Sequence, residues 1–453
     1  MEFRNLTPFD VMCFSALSKL DIEHPVIVMK VGYRLQPIAK KPGSFSAEVI
    51  DDDPVPLCLA DKYYGEEGRS SVKEESDLAP FKPRCDVIVN GHAYAPGMEA
   101  ARSWTAGIRL SEPAAPVEIN IASPKSSTAD GPPTEQQLYA WRDAQAEATL
   151  RRANAPTRNI LLNKRLRFTG PRIFKPGLFT GWHVTEAELA ERVPLQWEYA
   201  FGGSSILHNP QFPDRASEPH IINQVCYSNP LGQGWVDPRH LEFANSIEQP
   251  IEALLAPQIE QINDPITKLA SSHQPDGDVT AKEMAEISRA LTHQPAGFGV
   301  VGRAWAPRLA LAGTYDDEWR DTRWPGLPAD FEFGYWNCAP EDQQTAFLRP
   351  DVQIELFNLT SHENGHNGRL VIELPGHRPF LLARLHNGAL IPIPLLTDTL
   401  VIDTDEMSLS LTHRISLPST EPIRALEARF EIDPTAPLIK RARPTKLTEG
   451  VRG

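Results

Sequence analysis

Cysteine is scarce in this chain, and long apolar runs are missing. The 453 residues include only five cysteines and no C-x-x-C pair, and the five lie far apart: Cys13, Cys58, Cys85, Cys226 and Cys338. An odd number of widely spaced cysteines is typical of proteins in a reducing compartment, where each thiol serves as a small core residue. No apolar run reaches the roughly 18 residues of a membrane span, and the N-terminus lacks a basic region followed by an apolar stretch. We therefore expect a cytoplasmic protein without a membrane span or a signal peptide.

Basic residues are also in the minority. The chain has 45 lysines and arginines against 59 aspartates and glutamates, which gives a formal net charge of −14. This charge disfavours nucleic acid and anionic membrane as main partners, because both repel an acidic surface. The hydrophobic fraction of 41% is ordinary for a soluble globular protein, and the length suggests two or three domains.

The sequence lacks the motifs of several common active sites. It has no G-x-S-x-G elbow, no P-loop and no EF-hand loop. It does contain H-E-x-x-H at residues 362–366, a pattern that binds zinc where both histidines share one face of a helix. The dipeptides Asn364–Gly365 and Asn367–Gly368 instead predict a hairpin loop. We interpret this motif as accidental and predict no metal site.

A G-x-G-x-x-G pattern at residues 297–302 is interpreted in the same way. A dinucleotide site needs a strand before the glycines and a helix after them, so that the helix N-terminus meets the pyrophosphate. Pro307 falls within the first turns of the required helix, and no βαβ pattern surrounds the glycines. The sequence therefore predicts no cofactor, no catalytic residue and no enzyme activity.

Strand-like segments dominate the chain, and its 42 prolines favour short strands and loops over long helices. Residues 25–35 are β-branched and apolar, which predicts a strand buried on both faces. Residues 193–203 predict a strand that ends on a glycine pair. After Phe347, strand patterns recur about every ten residues, at 352–359, 370–374, 380–385, 390–394, 399–402, 408–415 and 425–430. We predict a mainly β fold (β-rich α+β), with antiparallel, sandwich-like sheets and small helical insertions.

The predicted domains follow these changes in pattern. Residues 1–346 form a core domain with helical insertions near 122–157 and 246–292, residues 347–432 form a β-rich C-terminal part, and residues 433–453 form a basic tail. The first insertion carries a capping box that begins at Thr134 and a partial apolar stripe that includes Trp141. The second carries Thr280 and Glu283, followed by apolar residues at helical spacing. The C-terminal part is either a separate domain or packed on the same core.

Aromatic residues crowd residues 297–344, where glycines and prolines separate them. Such side chains dominate both cores and binding surfaces, so two interpretations remain open. In the first, Trp305, Trp319 and Trp336 are mainly core residues. In the second, the tryptophans form a rigid surface that binds a partner, with Trp141 on a separate helical arm. The candidate partner-binding residues are Trp141, Trp305, Trp319, Trp324 and Trp336.

A series of short motifs in a fixed order resembles a known bacterial family, the domain-of-unknown-function family numbered 2169. The resemblance covers roughly residues 1–430. The longest motifs are NLTPF at 5–9, PVIVMK at 25–30, DLAP at 77–80, DVIVNG at 86–91, PLQWEYAFGG at 194–203, PAGFG at 295–299, WAPR at 305–308, AGTYD at 312–316, LPADF at 327–331 and APEDQ at 339–343.

The resemblance implies an accessory role in a type VI secretion system. Family members resemble adaptors or chaperones that are encoded near a toxin, the spike protein VgrG and the PAAR protein at the spike tip. The implied partners are a cognate effector and VgrG or PAAR, and the implied role is to load the effector onto the spike. No catalytic residue carries over from the family. The alternatives are a hydrolase or carbohydrate-active enzyme with an unrecognised site, and a structural component of the secretion system.

Overall fold

The computed structural model describes residues 1–18, 21–65, 67, 70–114, 135–153, 157–177, 181–201, 204–207, 220–223, 253–266, 295–303, 305–418 and 423–439. Strands predominate in these ranges, so the predicted mainly β class is confirmed. The strands are β1 (Glu2–Asn5), β2 (Asp10–Leu17), β3 (Glu23–Pro37), β4 (Ser44–Val49), β5 (Lys62–Tyr63), β6 (Val72–Glu74), β7 (Cys85–Asn90), β8 (His92–Tyr94), β9 (Ser103–Pro113), β10 (Arg158–Thr169), β11 (Ile173–Gly177), β12 (Gly181–Val184), β13 (Arg192–Pro194), β14 (Ser204–Leu207), β15 (His220–Asn223), β16 (Ala253–Leu255), β17 (Ile259–Gln261), β18 (Gln344–Thr345), β19 (Gln353–Phe357), β20 (Arg369–Glu373), β21 (Arg378–Leu385), β22 (Leu390–Pro394), β23 (Leu396–Asp403), β24 (Ser408–Ser416) and β25 (Ile423–Glu431).

The helices of the described ranges are few. They are the α-helices α1 (Glu135–Ala153), α2 (Trp197–Phe201), α3 (Ala306–Leu309) and α4 (Asp317–Thr322), and the 3-10 helices Pro96–Met98, Ala310–Ala312, Phe333–Trp336 and Glu341–Gln343. Among the described residues, no helix is both long enough and apolar enough to cross a membrane.

The strands form one large sheet and several smaller ones. The large sheet has twelve strands in the order β17-β10-β9-β19-β20-β4-β3-β24-β23-β7-β18, with β2 paired to the first half of β3. Its pairs are antiparallel except for β20 with β4 and β23 with β7. A second sheet has the order β1-β25-β21-β22, and a third has the order β12-β11-β16-β14-β15. Two ribbons, β13-β8 and β5-β6, complete the described pairing.

Strand β3 lies at the centre of the core, as its sequence predicts. Val26, Ile27, Val28 and Met29 are all fully buried, because β3 has strands on both edges and packed residues on both faces. The apolar cluster around β3 extends to the four-stranded sheet through residues such as Leu381. The two sheets therefore share one hydrophobic core.

The strands predicted after Phe347 are confirmed, and they pair with strands from the first half of the chain. Strand β24 pairs with β3, β23 pairs with β7, and β19 pairs with β9. Residues 347–432 therefore contribute to the same large sheet as the N-terminal strands.

The predicted insertions are only partly within the described residues. Helix α1 lies in the first insertion, whereas Thr134 and the start of its capping box lie outside the described residues. In the second insertion, residues 253–266 form the strands β16 and β17 and not the helical pieces that the sequence predicts. The helix predicted around Thr280 lies outside the described residues, as do residues 440–453 of the basic tail.

The strand predicted for residues 193–203 is wrong. Strand β13 ends at Pro194, and the chain continues into the short helix α2. The carboxylate of Glu198 in this helix accepts hydrogen bonds from the backbone N–H of Ser71 at 2.6 Å and from its hydroxyl at 2.7 Å. The neighbouring Trp197 is buried and packs on Trp305. These tertiary contacts override the local strand propensity of the segment.

Candidate partner-binding surface

A buried arginine joins the two ends of the aromatic stretch. Arg308, in α3, donates to the Glu75 carboxylate at 2.6 and 2.9 Å and to the Tyr335 carbonyl at 2.6 and 3.0 Å. The same guanidinium donates to the Val301 carbonyl at 2.6 Å. Burial alone would raise the pKa of the Glu75 carboxyl, but the adjacent Arg308 and Arg303 guanidiniums hold that pKa below its usual value. The Arg308 guanidinium therefore fixes both ends of the segment from residue 308 to residue 335.

Between these ends, residues 313–331 form a closed loop, which we call the aromatic loop. Gly313 adopts a positive φ of 79°, which glycine accepts without strain, and starts the turn. The Asp330 carboxylate accepts from the Thr314 backbone N–H at 2.9 Å and from its hydroxyl at 2.8 Å, which brings the two ends of the loop together. Asp316 caps α4 by accepting from the Trp319 backbone N–H at 2.9 Å. The loop is thus held by its own hydrogen bonds.

The aromatic loop presents aromatic and acidic side chains to solvent. Trp324 is 68% exposed and Tyr315 is 55% exposed. Trp319 is half-buried, packs edge to face on Tyr315 with ring centroids 4.7 Å apart, and donates from its indole N–H to the Gly326 carbonyl at 2.9 Å. The loop also carries five acidic residues against two arginines. Such a surface can bind an apolar segment that carries basic residues, through ring contacts and cation–π interactions.

The five tryptophans singled out from the sequence do not form one cluster. Trp305 is only 3% exposed and packs edge to face on the buried Trp197, so it is a core residue, as the first interpretation predicts. Trp336 is half-buried, and the Arg303 guanidinium lies 5.7 Å from its ring centre. Trp141 is half-buried on α1. Only Trp319 and Trp324 lie on the aromatic loop.

The surface contains functional candidates that the sequence does not single out. Tyr315 lies beside Trp319 and is more than half exposed, but its position on the surface depends on how the loop closes. Arg308 and Glu75 are 233 positions apart, so their pairing is a property of the fold. The WAPR motif marks Arg308 in the sequence without indicating its partner.

The glycines of the G-x-G-x-x-G pattern make room for tryptophan rings. A Cβ atom on Gly297 would lie 3.0 Å from the Trp197 ring, and one on Gly302 would lie 2.9 Å from the Trp305 indole nitrogen. The helix that follows, α3, has four residues. Gly297 and Gly302 therefore allow the tryptophan rings to pack closely against the backbone. This role agrees with the interpretation that the resemblance to a dinucleotide-binding motif is accidental.

The H-E-x-x-H motif lies in a hairpin loop between β19 and β20, and this prediction is confirmed. The ring of His362 contacts the Ala95 carbonyl through Nε2 at 2.8 Å. The backbone of His366 exchanges two hydrogen bonds with Arg369, at 2.9 and 3.0 Å, across the turn. Within the described ranges, no group of three or more His, Cys, Asp or Glu side chains is placed to hold a metal ion.

A cavity of about 420 Å³ lies on the four-stranded sheet, and a larger one of about 620 Å³ adjoins Lys164. The Lys164 ammonium donates to the Gly297 carbonyl at 2.7 Å, to Asp342 at 2.7 Å and to the Gln343 side chain at 2.6 Å. Burial lowers the pKa of Lys164 to about 8, although the Asp342 carboxylate opposes this shift. All three donors of the ammonium have acceptors. The lysine therefore links three segments of the fold.

The chain matches the model of one bacterial family over residues 21–132 and 140–414. That family is described as "Uncharacterized protein conserved in bacteria (DUF2169)". The match includes both the aromatic loop and the C-terminal strands as far as Arg414. No curated protein and no solved structure matches the chain.

Proposed function

The chain belongs to the DUF2169 family, and from this premise we propose that it is a non-catalytic adaptor of a type VI secretion system. In this role it binds a cognate effector in the cytosol and helps to load that effector onto the VgrG and PAAR proteins of the spike. The motif resemblance supports the secretion role. The observation that supports the binding role is the aromatic loop, which is exposed and acidic. The chain on either side of this loop is held by the buried Arg308–Glu75 ion pair.

The aromatic loop has the properties of a binding surface. Tryptophan and tyrosine are the residues that most often dominate binding energy at protein interfaces. Asp330 closes the loop, and Arg308 joins the chain just before the loop to Tyr335 just after it, so little conformational freedom remains to be lost on binding. Its net negative charge favours a partner segment that combines apolar and basic residues.

The test is to express the effector encoded beside this protein together with the wild-type chain or with a double variant, Tyr315→Ala and Trp324→Ala. We expect the double variant to bind the effector at least about tenfold more weakly, since each lost ring removes contact area at an interface hot spot. Its melting temperature should stay close to that of the wild type, because both rings are exposed. The measurements are co-purification, binding affinity and thermal unfolding.

The matched control is the double variant Ile160→Ala and Leu189→Ala, which removes two side chains that are 60% and 63% exposed elsewhere on the molecule. This control should bind the effector as the wild type does. The proposal is wrong if the effector is equally soluble alone, does not co-purify with the wild-type chain and is still delivered when the gene is deleted. Binding to VgrG or PAAR without binding to the effector would instead indicate an assembly factor.

A further inference from the structure

Strand β2 has one edge without a strand partner among the described residues. It pairs over all eight of its residues with β3, from Asp10 opposite Lys30 to Leu17 opposite Glu23. No backbone group elsewhere in the described ranges bonds to residues 11–17 on the other edge. Ser15 is exposed, and its neighbours in the strand are half-buried. An edge of this length offers a row of donors and acceptors to an incoming strand.

Two hydrogen bonds identify the backbone groups of β2 that point outward. The Leu417 N–H donates to the Pro25 carbonyl at 3.0 Å, so Pro25 directs its carbonyl toward β24 and away from β2. Residues directly opposite in an antiparallel pair share this orientation, and Ser15 is opposite Pro25. The backbone N–H and C=O of Ser15 therefore point away from β3. By the alternation of the strand, the same holds for every second residue from Val11 to Leu17.

The Ser18 N–H provides the second of these hydrogen bonds. It donates to the Ile22 carbonyl at 3.0 Å, on the β3 side of the hairpin turn. Even-numbered residues of β2 therefore use their backbone groups to pair with β3. The backbone N–H and C=O groups of the odd-numbered residues point toward the outer edge.

Strand β22, another edge strand, is protected in a way that β2 is not. The Leu395 N–H donates to the Pro379 carbonyl at 3.1 Å, which shows that odd-numbered residues of this segment face β21. The ring nitrogens of Pro392 and Pro394 consequently lie on the outer edge, where they offer no N–H. Prolines and lysines are the usual devices that prevent pairing at an edge. Strand β2 contains neither residue.

Acidic groups lie at both ends of the β2 edge. At the start, Asp10 accepts from the Leu57 N–H at 2.9 Å, and the exposed acidic residues 51–53 precede Leu57 by a few positions. At the far end, the β2–β3 turn contains Asp21, whose carboxylate lies 3.7 Å from the Arg323 guanidinium of the aromatic loop. A Cβ atom on Gly326 would lie 2.0 Å from Asp21, so the turn and the aromatic loop are in contact. The edge thus leads from an acidic end directly to the proposed binding loop.

We propose that the outer edge of β2 binds an extended segment of the effector by strand addition. The segment carries apolar residues along the edge and basic residues at its ends, and it continues onto the aromatic loop. Backbone hydrogen bonds from the odd-numbered residues 11 to 17 hold the added strand, and the acidic ends and the exposed rings select its sequence. This inference rests on the proposed function, because the occupant is the effector that the adaptor carries.

The first test compares two substitutions at Ser15 in the full-length protein. Ser15→Pro removes one outward N–H and places a ring on the edge, while the β2–β3 pairing needs no N–H from this position. Ser15→Ala shortens the side chain and keeps the N–H. We expect Ser15→Pro to bind the effector at least about tenfold more weakly than Ser15→Ala, because the added strand loses a hydrogen bond and meets the ring. Equal affinities of the two variants would overturn the strand-addition model.

The second test needs no substitution. Residue-resolved hydrogen exchange is measured on the free wild-type chain and on its complex with the effector. In the free chain, the amides of Met12, Phe14 and Ala16 should exchange slowly, whereas those of Cys13 and Ser15 should exchange fast. In the complex, the second group should become protected as well. Protection of Cys13 and Ser15 in the free monomer would show that another part of this chain covers the edge, and would overturn the inference.

The outcomes separate the two proposals. If the effector forms a complex that Ser15→Pro leaves intact, the adaptor function stands and strand addition fails. If no complex forms with the wild-type chain, both fail. A free chain that is dimeric by light scattering, and that becomes monomeric with Ser15→Pro, would identify a second copy as the occupant and also overturn the inference.

Discussion

At the scale of single residues, several charged side chains are buried, and each lies next to a group of opposite charge. Lys30 contacts Glu74 and pairs with Asp77 at 2.8 Å, and Lys82 pairs with Asp86 at 2.8 Å. Each of these ions has several hydrogen-bond partners, as a charge away from water requires. Loss of one partner leaves the other charge buried and unpaired, which is the costly outcome.

Arg308 is the main partner of the buried Glu75 carboxylate, so its loss should destabilise the fold. We expect Arg308→Met to lower the free energy of unfolding by roughly 3–5 kcal/mol, because Glu75 would stay buried without its main partner. The control is Arg320→Met, since the Arg320 side chain is 61% exposed and its ion pairs are at the surface. That change should cost less than about 0.5 kcal/mol. Urea denaturation compares the two, and equal losses of stability would contradict the structural role of Arg308.

His413 gives a prediction about pH. Burial lowers the pKa of His413 from 6.5 to about 3, and its Nδ1 lies 3.0 Å from the Thr397 hydroxyl. Between these two pKa values the unfolded chain binds a proton that the folded protein does not, so stability falls as the pH falls. This residue should remove about 2 kcal/mol of stability between pH 7 and pH 5. In His413→Gln the slope of unfolding free energy against pH should be smaller in that window, and an unchanged slope would contradict the assignment.

At the scale of elements, the sequence is informative where a pattern is local. The residues of β19 to β25 alternate or run apolar between turn residues, so these strands are predictable from their own residues. Helix α2 is not, because the contact of Glu198 with Ser71 joins segments 127 positions apart. The exposure of Trp324 and the burial of Trp305 are likewise unpredictable from composition. Both are tryptophans in one aromatic stretch, but Trp305 packs on Trp197 of α2 whereas Trp324 lies on the exposed aromatic loop.

The hairpin between β19 and β20 gives a prediction about metal binding. We expect the double variant His362→Ala and His366→Ala to bind no less zinc than the wild-type chain, because the hairpin does not place the two rings on one helical face. Bound zinc is measured by atomic absorption after dialysis, alongside thermal unfolding. Stoichiometric zinc in the wild-type protein that disappears in the double variant would contradict this interpretation.

At the scale of the whole molecule, the net charge of −14 bears on how a partner is found. If the effector segment is basic, attraction between the two proteins accelerates their association, and salt screens that attraction. We expect the association rate constant to fall by roughly tenfold or more between low and high ionic strength, with a smaller change in the dissociation rate constant. Stopped-flow measurements over a salt series test this. A salt-independent association rate would indicate an apolar, uncharged partner segment.

The position of β3 in the large sheet has a consequence for how the protein is made. Lys30 of β3 lies opposite Thr412 of β24, about 380 residues later in the chain. At a synthesis rate of about 5–20 residues per second, a ribosome needs roughly 20–80 seconds to reach the second strand after the first. During that interval β3, whose residues Val26 to Met29 are fully buried in the folded protein, has neither its β24 neighbour nor a finished core. We therefore expect the native sheet to form only after β24 has emerged, and a chain that stops before β24 to be degraded faster than the full-length chain.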